Sequence, residues 1–394
     1  MAHLALALRD LGHAVTWATA RESWPLLQAH GLQTVEAGPA FGAALAEFGR
    51  RRPEAARLPG RSHAMIAFST LFGDVLASQM IQPLTDHARH WRPDLIIGEP
   101  AALAAPLVAR ALGVPSVTHA FGLPIPAAVL QAAAESMAPH WAARGLGVPA
   151  DCGLYGDTTI EIVPPSLLAA SMQPVTAANV LSRRPRALTV EPNPAIDPAL
   201  LAFIHRPDPR PLVYATFGTL NRGGPAFASL LDALGQMEVR AIVTTGGLVG
   251  IDTTPAHVLA APYVPQEYVL PHCAMVVSHG GSGTMLAALA HGLPQVCLPT
   301  GADQFRNADA LAVCGAAITH DADGHTGMPS PSALATMMTR CLAEPGPGTA
   351  ARVLRAEIDA MPDAHTLAAR IDRGLGLRQQ GAGFSPRAPG CANQ

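Results

Sequence analysis

A glycine-rich loop in the second half of the chain carries the residue types best suited to chemistry. It follows an apolar run, residues 275–278, that is typical of a strand, and it leads directly into the helix-forming residues 285–290. The amino end of a helix offers unpaired N–H donors and the positive end of the helix dipole, and glycines let the backbone approach a ligand closely. Hydroxyl and imidazole groups add further donors. The loop therefore predicts a pyrophosphate-binding site made of His279, Gly280, Gly281, Ser282, Gly283 and Thr284.

Three further polar segments follow or adjoin predicted strands of this region. They are Gly218-Thr219, Val264-Pro265-Gln266 and Asp303-Gln304. In a parallel sheet the carboxyl ends of the strands meet at one edge, where such folds bind ligands. We therefore expect these segments to line one crevice with the glycine loop. A tight turn without a ligand is the alternative for the loop taken alone, and an ordinary turn after a strand is the alternative for Gly218-Thr219.

The elements that position these residues alternate between helix and strand along the chain. Strands are predicted at short continuous apolar runs, such as residues 94–98 and 212–217, and helices follow them. This order predicts an α/β fold with parallel sheets that are covered on both faces. A chain of 394 residues also exceeds the size that one hydrophobic core supports. We predict two Rossmann-like domains, at residues 1–195 and 210–375.

A proline-rich stretch separates the two predicted domains. Prolines at this density favour an extended linker over packed structure, and we place the linker at residues 196–209. Residues 376–394 are rich in glycine, glutamine and proline, and they predict a disordered tail.

Composition narrows the range of partners. The formal net charge is -3, and no run of lysines and arginines supplies the basic face that a nucleic acid requires. The six cysteines lie far apart without metal-ligand spacing. No uninterrupted apolar stretch predicts a membrane span, and the start of the chain lacks the pattern of a secretion signal. We expect a cytoplasmic protein that binds small molecules, with no nucleic-acid partner, no metal and no stable membrane insertion.

Together these motifs resemble those of the family 1 glycosyltransferases with the GT-B fold, specifically the bacterial members that attach sugars to natural products. The resemblance covers nearly the whole chain, and it rests on residues 263–266, 270–271, 279–284, 290–294 and 303–304. It implies two Rossmann-like domains that face each other across a cleft. It also implies inverting transfer of a sugar from a nucleotide diphosphate to a small hydrophobic acceptor in the first domain, without a metal or other cofactor. A homodimer is left open.

The resemblance also implies a role for each matching residue. The backbone at Val264 and the side chain of Gln266 would hold the nucleobase, and the glycine loop would hold the diphosphate. Asp303 and Gln304 would bind hydroxyls of the donor sugar, while Gly218-Thr219 would lie near the donor phosphates.

One departure from the family pattern concerns the donor. Many relatives that use UDP-sugars carry a glutamate in the helix after the glycine loop, where it binds the ribose hydroxyls, but the matching residue here is Ala287. A 2'-deoxyribose demands less at this position. We therefore favour a dTDP-activated sugar over a UDP-activated one.

A second departure concerns the catalytic base. In the family a histidine in a loop before the first helix takes the acceptor's proton, and the alignment puts that loop and the first strand upstream of Met1. We therefore expect the first domain to lack its first strand. Glu99, at the end of the strand at 94–98, matches the acidic partner of that histidine, although it could instead cap the next helix. His119 and Phe121 are candidates for the acceptor pocket, with packing as the alternative.

Two other functions are alternatives to a transferase. A catalytically silent nucleotide-sugar-binding or helper protein is compatible with the expected loss of the histidine loop. A nucleotide-sugar 2-epimerase of similar fold is disfavoured, because Val264-Pro265-Gln266 and Asp303-Gln304 match the transferases.

Overall fold

The computed structural model describes residues 1–58, 60–155, 158–172, 179–185, 197–218, 225–247, 254–320 and 328–374. Thr219 and the predicted tail at 376–394 lie outside these residues. The described strands are β1 (Thr16–Thr19), β2 (Gln33–Glu36), β3 (Ile96–Gly98), β4 (Ser116–His119), β5 (Thr158–Glu161), β6 (Asn179–Ser182), β7 (Leu212–Thr216), β8 (Arg240–Thr244), β9 (Val258–Ala261), β10 (Met275–Ser278), β11 (Gln295–Cys297) and β12 (Ala317–Thr319).

Helices alternate with these strands, as the sequence predicts. Their bounds are α1 (Ala2–Asp10), α2 (Trp24–Ala29), α3 (Phe41–Arg51), α4 (Gly60–Ala67), α5 (Ser78–Trp91), α6 (Ala104–Leu112), α7 (Ala127–Ala142), α8 (Pro165–Ala170), α9 (Pro198–His205), α10 (Pro225–Gly235), α11 (Gln266–Val269), α12 (Ser282–Ala290), α13 (Gln304–Val313), α14 (Pro331–Ala343), α15 (Pro345–Ala360) and α16 (Ala364–Gly374). Short 3-10 turns occupy Arg21–Ser23, Pro53–Arg57 and Leu270–His272.

The second domain is built on one parallel sheet. Its 6 strands run in the order β12-β11-β10-β7-β8-β9. At its carboxyl edge Ser278 of β10 pairs with Thr216 of β7 on one side and with Cys297 of β11 on the other. The segments that follow these strands therefore leave the sheet at one edge, as predicted. This arrangement brings Gly218, the glycine loop and Asp303 together.

The first domain is also parallel, but its strands form two separate sheets. β1 pairs with β2, and β3 to β6 form a 4-stranded sheet in chain order. Ile97 of β3 lies opposite Val117 of β4, so Glu99 and His119 both emerge at the carboxyl edge. This edge faces the second domain. A shared apolar core joins the domains and includes Leu123, Val163, Met285, Leu286 and Met361.

The predicted linker at 196–209 is wrong as an extended segment, because most of it is helix. Asp197 accepts a hydrogen bond from the backbone of Ala199 and so caps α9, and Pro198 fits the first helical position, where its missing N–H is not needed. Leu200 and Ile204 are buried against strands of the second domain. The prolines therefore mark a helix start that belongs to the second domain.

The carboxyl-terminal helix corrects the second domain boundary. Residues 364–374 fall inside the predicted second domain at 210–375, yet α16 packs on α1 of the first domain. Leu367 and Ile371 of α16 share an apolar core with Leu4 and Leu8 of α1. Two contacts between a histidine and an aspartate accompany this core, His13 with Asp372 at 3.2 Å and His365 with Asp10 at 3.4 Å. The chain thus returns to its first domain at the end.

A continuous helix of 32 residues, Gly60–Trp91, forms one wall of the first domain. It consists of α4, a π-helical segment Phe68–Ala77 and α5. By length and hydropathy alone it would pass as a membrane span. Its apolar residues, however, pack into two cores of the first domain, one through Leu71 and Val75 and the other through Ile81. The helix is therefore a wall of the first domain.

Candidate active site

The imidazole of His279 is held between two glycines at the carboxyl edge of the second sheet. A Cβ atom built on Gly218 would lie 2.9 Å from the ring, and one built on Gly281 would lie 2.6 Å from its Nε2 atom. Gly218 also has a backbone φ of +75°, which residues with a side chain rarely adopt. Both glycines are therefore needed for the ring to occupy its place. The structure supports the predicted proximity of Gly218 to the glycine loop.

The electrostatic setting of His279 favours its neutral form. Burial lowers the pKa of His279, and the backbone of Thr216 and the charge of Asp303 only oppose this shift. Its Nδ1 atom is buried without a hydrogen bond of normal geometry to any described residue. A neutral imidazole has one N–H donor and one acceptor. The ring is therefore suited to donate a single hydrogen bond to an anionic ligand.

The amino end of α12 is held by a carboxylate from the neighbouring helix. Asp303 Oδ2 accepts hydrogen bonds from the hydroxyl of Ser282 at 2.6 Å and from its backbone N–H at 3.3 Å. Although Asp303 is the residue before α13, its side chain does not cap that helix. An anion at a helix amino end is stabilised by free N–H groups and by the dipole. Asp303 therefore lies where the sequence places the diphosphate.

Asn307 completes this arrangement and was not among the predicted residues. Its Nδ2 atom donates to the carbonyl of Gly280 at 2.8 Å and to Asp303 Oδ2 at 2.9 Å, and its side chain is buried. It lies one helical turn after Asp303, so both side chains project from one face of α13. The sequence signal that could have identified Asn307 is its spacing, four positions after Asp303 of the motif. Its partner Gly280 lies in the loop after β10, and the sequence does not show that this loop contacts α13.

Gln266, which is predicted to bind the nucleobase, contacts the same amino end of α12. Gln266 Nε2 lies 3.3 Å from the hydroxyl of Thr284 and 3.5 Å from that of Tyr214. These contacts orient the amide of Gln266 so that its oxygen is available to a ligand. Val264 contributes its side chain to the buried core, which fixes the backbone that the sequence assigns to the nucleobase. The structure thus brings Gln266 and the glycine loop together.

Gln304 shapes the loop before α13. Its Oε1 atom accepts hydrogen bonds from the Thr300 backbone at 2.8 Å, the Thr300 hydroxyl at 3.0 Å and the Gly301 backbone at 2.9 Å. These bonds fold residues 300–304 into a compact turn. The sequence predicts that Gln304 binds the sugar. In this structure its side-chain oxygen bonds to the turn, whereas its amide nitrogen makes no hydrogen bond to the described residues.

A loop of the first domain covers the amino end of α12. A Cβ atom on Gly122 would overlap the hydroxyl of Ser282 and lie 2.7 Å from its Cβ atom. Arg306 of α13 donates a 2.6 Å hydrogen bond to the carbonyl of Pro124, two residues further along this loop. Gly122 is not among the residues that the sequence predicts for the site. Only the packing of the two domains reveals that this loop, which continues from His119 and Phe121, reaches the predicted diphosphate site.

Glu99 lies at the carboxyl end of β3, as predicted. Burial raises the pKa of Glu99, while the Ala101 N–H bond at 2.9 Å and the amino group of Met1 oppose the shift. The bond to Ala101 matches the capping alternative, and the position at the sheet edge matches the catalytic one. The structure thus places Glu99 at the carboxyl edge of the first sheet, with its carboxylate bonded to the Ala101 backbone.

His119 is structural in this arrangement. Its Nδ1 lies 2.7 Å from the Ala120 carbonyl, and its Nε2 accepts a 3.2 Å hydrogen bond from Arg183. Burial and the nearby positive charges of the Met1 amino group and Arg183 lower the pKa of His119 to about 3. The ring is buried and neutral. Packing therefore accounts for it better than a place in the acceptor pocket.

Over the described ranges, no group of three or more His, Cys, Asp or Glu side chains could hold a metal ion. The site instead combines a helix amino end, glycine backbone and neutral donors between two parallel α/β domains. These features define a glycosyltransferase of the GT-B type. The chain belongs to the family of erythromycin biosynthesis protein CIII-like proteins: the family's N-terminal domain model matches residues 6–185 and its C-terminal domain model matches residues 228–373.

Individual relatives agree with this assignment. The chain is 32% identical to elloramycin glycosyltransferase ElmGT of Streptomyces olivaceus, over 77% of this chain and 74% of the relative. It is 34% identical to the L-demethylnoviosyl transferase of Streptomyces niveus, over 82% of each chain. The crystal structure of glycosyltransferase VinC in complex with dTDP superposes with a TM-score of 0.72 at 26% identity and covers 96% of both chains. The protein is thus a bacterial natural-product glycosyltransferase of family 1.

Proposed function

We propose that this glycosyltransferase moves a sugar from a dTDP-sugar to a small hydrophobic acceptor, with inversion at the anomeric carbon, in the cytoplasm. The observation that carries the donor assignment is the convergence of His279, the amino end of α12 and Gln266 on one sheet edge. These groups supply donors for a diphosphate and an oriented amide for a nucleobase. No cofactor enters the proposal, because the helix dipole and fixed donors can stabilise the leaving diphosphate.

The preference for dTDP over UDP rests on α12. Ala287, half-buried on this helix, offers no side chain that could bind a ribose 2'-hydroxyl. A hydroxyl buried without a partner costs free energy, whereas a deoxyribose has none to satisfy at that carbon. The dTDP complex of VinC, a protein of matching fold, supports this preference.

The transfer step needs a base for the acceptor's proton as its oxygen attacks the anomeric carbon. The family resemblance implies a histidine as this base, which would take the proton. We propose that Glu99 acts as the acidic partner of that histidine. Its position at the carboxyl edge of the first sheet, facing the second domain, supports this role. The bond to the departing diphosphate breaks on the opposite face of the sugar. The glycine loop and the neutral His279 donate to the phosphate oxygens as their charge increases.

The acceptor is assigned to the first domain. The wall helix Gly60–Trp91 carries Phe68 and Phe72, whose rings lie 5.5 Å apart and are only partly buried. Met65, one turn earlier, is 41% exposed. Partly exposed aromatic and methionine side chains suit a flat apolar ligand. The names of the relatives support a natural product as this ligand.

Calorimetric titration with dTDP and, separately, UDP tests the donor assignment. We expect saturable binding of both, with dTDP about tenfold tighter, since one lost hydrogen bond is worth about that factor. Equal or tighter binding of UDP would contradict the dTDP preference. Absence of binding by folded protein would contradict the donor site itself.

Transfer is tested separately by incubation with dTDP-sugars and a panel of polyketide aglycones. The anomeric configuration of the product, read from its NMR coupling constants, should be opposite to that of the donor. Retention would overturn the inverting mechanism. Binding of dTDP without transfer to any acceptor would instead indicate a nucleotide-sugar-binding helper protein.

A further inference from the structure

The start of the wall helix contacts α13 of the second domain directly. A Cβ atom on Gly60 would lie 2.6 Å from Cζ of Phe305 and 3.2 Å from the Thr300 carbonyl. Only a residue without a side chain can therefore begin this helix so close to the Phe305 ring. Thr300 belongs to the turn that Gln304 holds. The contact thus joins the acceptor-side helix to the loop that carries the predicted sugar-binding residues.

Arg61, the next residue, makes this contact polar as well. Its Nη2 atom lies 2.9 Å and 3.2 Å from the two carboxylate oxygens of Asp309, and its guanidinium carbon lies 5.0 Å from the centre of the Phe305 ring. Phe305 and Asp309 are one helical turn apart and so present one face of α13. The guanidinium therefore binds a carboxylate and an aromatic face on the same helix.

Arg61 binds α13, the helix whose residues organise the predicted donor site. Asp303 immediately precedes α13 and holds Ser282, Gln304 begins it and holds the turn at Thr300, and Asn307 within it bonds to Gly280. Any displacement of α13 moves all of these groups relative to the glycine loop. The first domain can thus influence the donor site through this helix.

We propose that Arg61 is a positioning residue that couples the acceptor domain to the sugar end of the donor site by clamping α13. This inference rests on the proposed function and adds to it a link between the two substrates. The ion pair is partly exposed, with 38% of the Arg61 and 43% of the Asp309 side chain accessible, so salt should weaken it. The strength of this contact between the domains then depends on ionic strength.

The experiment compares Arg61→Ala with Arg57→Ala, which removes an exposed arginine from the preceding turn Pro53–Arg57. Both variants and the wild type are titrated with dTDP and with dTDP-glucose at low and high salt. We expect dTDP affinity to change less than about twofold in either variant, because the groups predicted to bind the nucleobase and diphosphate, Gln266 and the amino end of α12, lie outside α13. The predicted sugar ligands, Asp303 and Gln304, stand at the start of α13 and should respond to its displacement. For dTDP-glucose at low salt, Arg61→Ala should weaken binding about three- to tenfold, the range of an ion pair plus a cation–π contact. Arg57→Ala should have no such effect.

Exchange of the two charges separates positioning from a merely structural effect. Arg61→Asp should weaken dTDP-glucose binding as Arg61→Ala does, and Arg61→Asp combined with Asp309→Arg should restore most of the loss at low salt. At high salt the wild type and Arg61→Ala should bind dTDP-glucose with similar affinity. At low salt, equal dTDP-glucose affinity of wild type and Arg61→Ala, or an equal loss for dTDP and dTDP-glucose, would overturn the proposal.

Failure of the clamp can be told from failure of the donor site. If the wild type does not bind dTDP, the proposed function is contradicted, and amide hydrogen exchange of α13 then decides the clamp. Faster exchange of α13 in Arg61→Ala than in Arg57→Ala supports it. Unchanged exchange overturns it.

Discussion

Asp303 and Ser282 are joined by two hydrogen bonds that link the amino ends of two adjacent helices. The carboxylate accepts from both the hydroxyl and the backbone N–H of Ser282, and Asn307 donates to its bonded oxygen. The carboxylate thus lies at the helix end where the diphosphate is predicted to bind, whereas the family resemblance implies that it binds the sugar. Donor binding is therefore expected to redirect Asp303 from the helix end to the ligand.

The first prediction follows from this competition. Replacement of Asp303 by asparagine removes a negative charge from the diphosphate site, so affinity for dTDP alone should rise about two- to fivefold. Transfer from a dTDP-sugar should fall at least about tenfold, because a charged acceptor for the sugar hydroxyls is lost. Calorimetry and initial-rate measurements check the two effects. Weaker dTDP binding in the variant would show that the carboxylate does not compete with the diphosphate.

A second prediction concerns nucleotide choice. Ala287→Glu should improve UDP binding relative to dTDP binding by about tenfold, because the carboxylate can accept hydrogen bonds from the ribose hydroxyls. The measured quantity is the ratio of the two dissociation constants. Ala333→Glu, at an exposed position of α14, adds an identical charge on a helix that carries none of the predicted site residues and should leave the ratio unchanged. An unchanged ratio in Ala287→Glu would remove the basis for the dTDP preference.

The third prediction concerns the packing of His279. Gly281→Ala would place a methyl group 2.6 Å from Nε2 of His279, so the ring or the loop must move. We expect nucleotide affinity to fall more than about tenfold, since the donors depend on exact placement of this loop. Gly49→Ala in α3 meets open space and serves as the control, with wild-type affinity expected. Tight nucleotide binding by Gly281→Ala would mean that the ring does not contribute.

A fourth prediction concerns stability and pH. Glu161, at the end of β5, is only 2% exposed, and neither of its carboxylate oxygens has a hydrogen-bond partner among the described residues. Burial raises the pKa of Glu161 from 4.5 to about 7. Because the folded pKa lies above the unfolded one, the folded state holds the proton more tightly. Stability is therefore lost as the pH rises from about 4.5 to about 7, and it changes no further above that range.

Glu161→Gln removes this ionisation. The free energy of unfolding of the variant should exceed that of the wild type by about 1–3 kcal/mol at pH 8, with a much smaller difference at pH 5. Urea denaturation at both pH values measures it. Glu135→Gln, an exposed glutamate on α7, should show no such pH-dependent gain. A loss of stability at pH 8 in Glu161→Gln would reveal a partner for the charged carboxylate.

Much of the second domain could be predicted from the sequence because its signals are local. The strand, glycine loop and helix at residues 275–290 are contiguous, and parallel pairing then requires that the loops after β7, β10 and β11 leave at one edge. The helical start at Pro198 differs from the predicted linker, because proline is common both in linkers and in first helical turns. Capping by Asp197 and burial of Leu200 decided between these readings.

The sequence by itself determined the class of fold, the donor loop and the family, since each depends on residue types at short spacing. The tertiary structure alone decided that α16 returns to the first domain, that Asn307 bonds to Gly280 and that Gly122 covers Ser282. It also decided that Arg61 meets Asp309, 248 positions away. These contacts join distant parts of the chain, and apolar or charged residues have many equivalent partners in sequence. Only packing in three dimensions selects one of them.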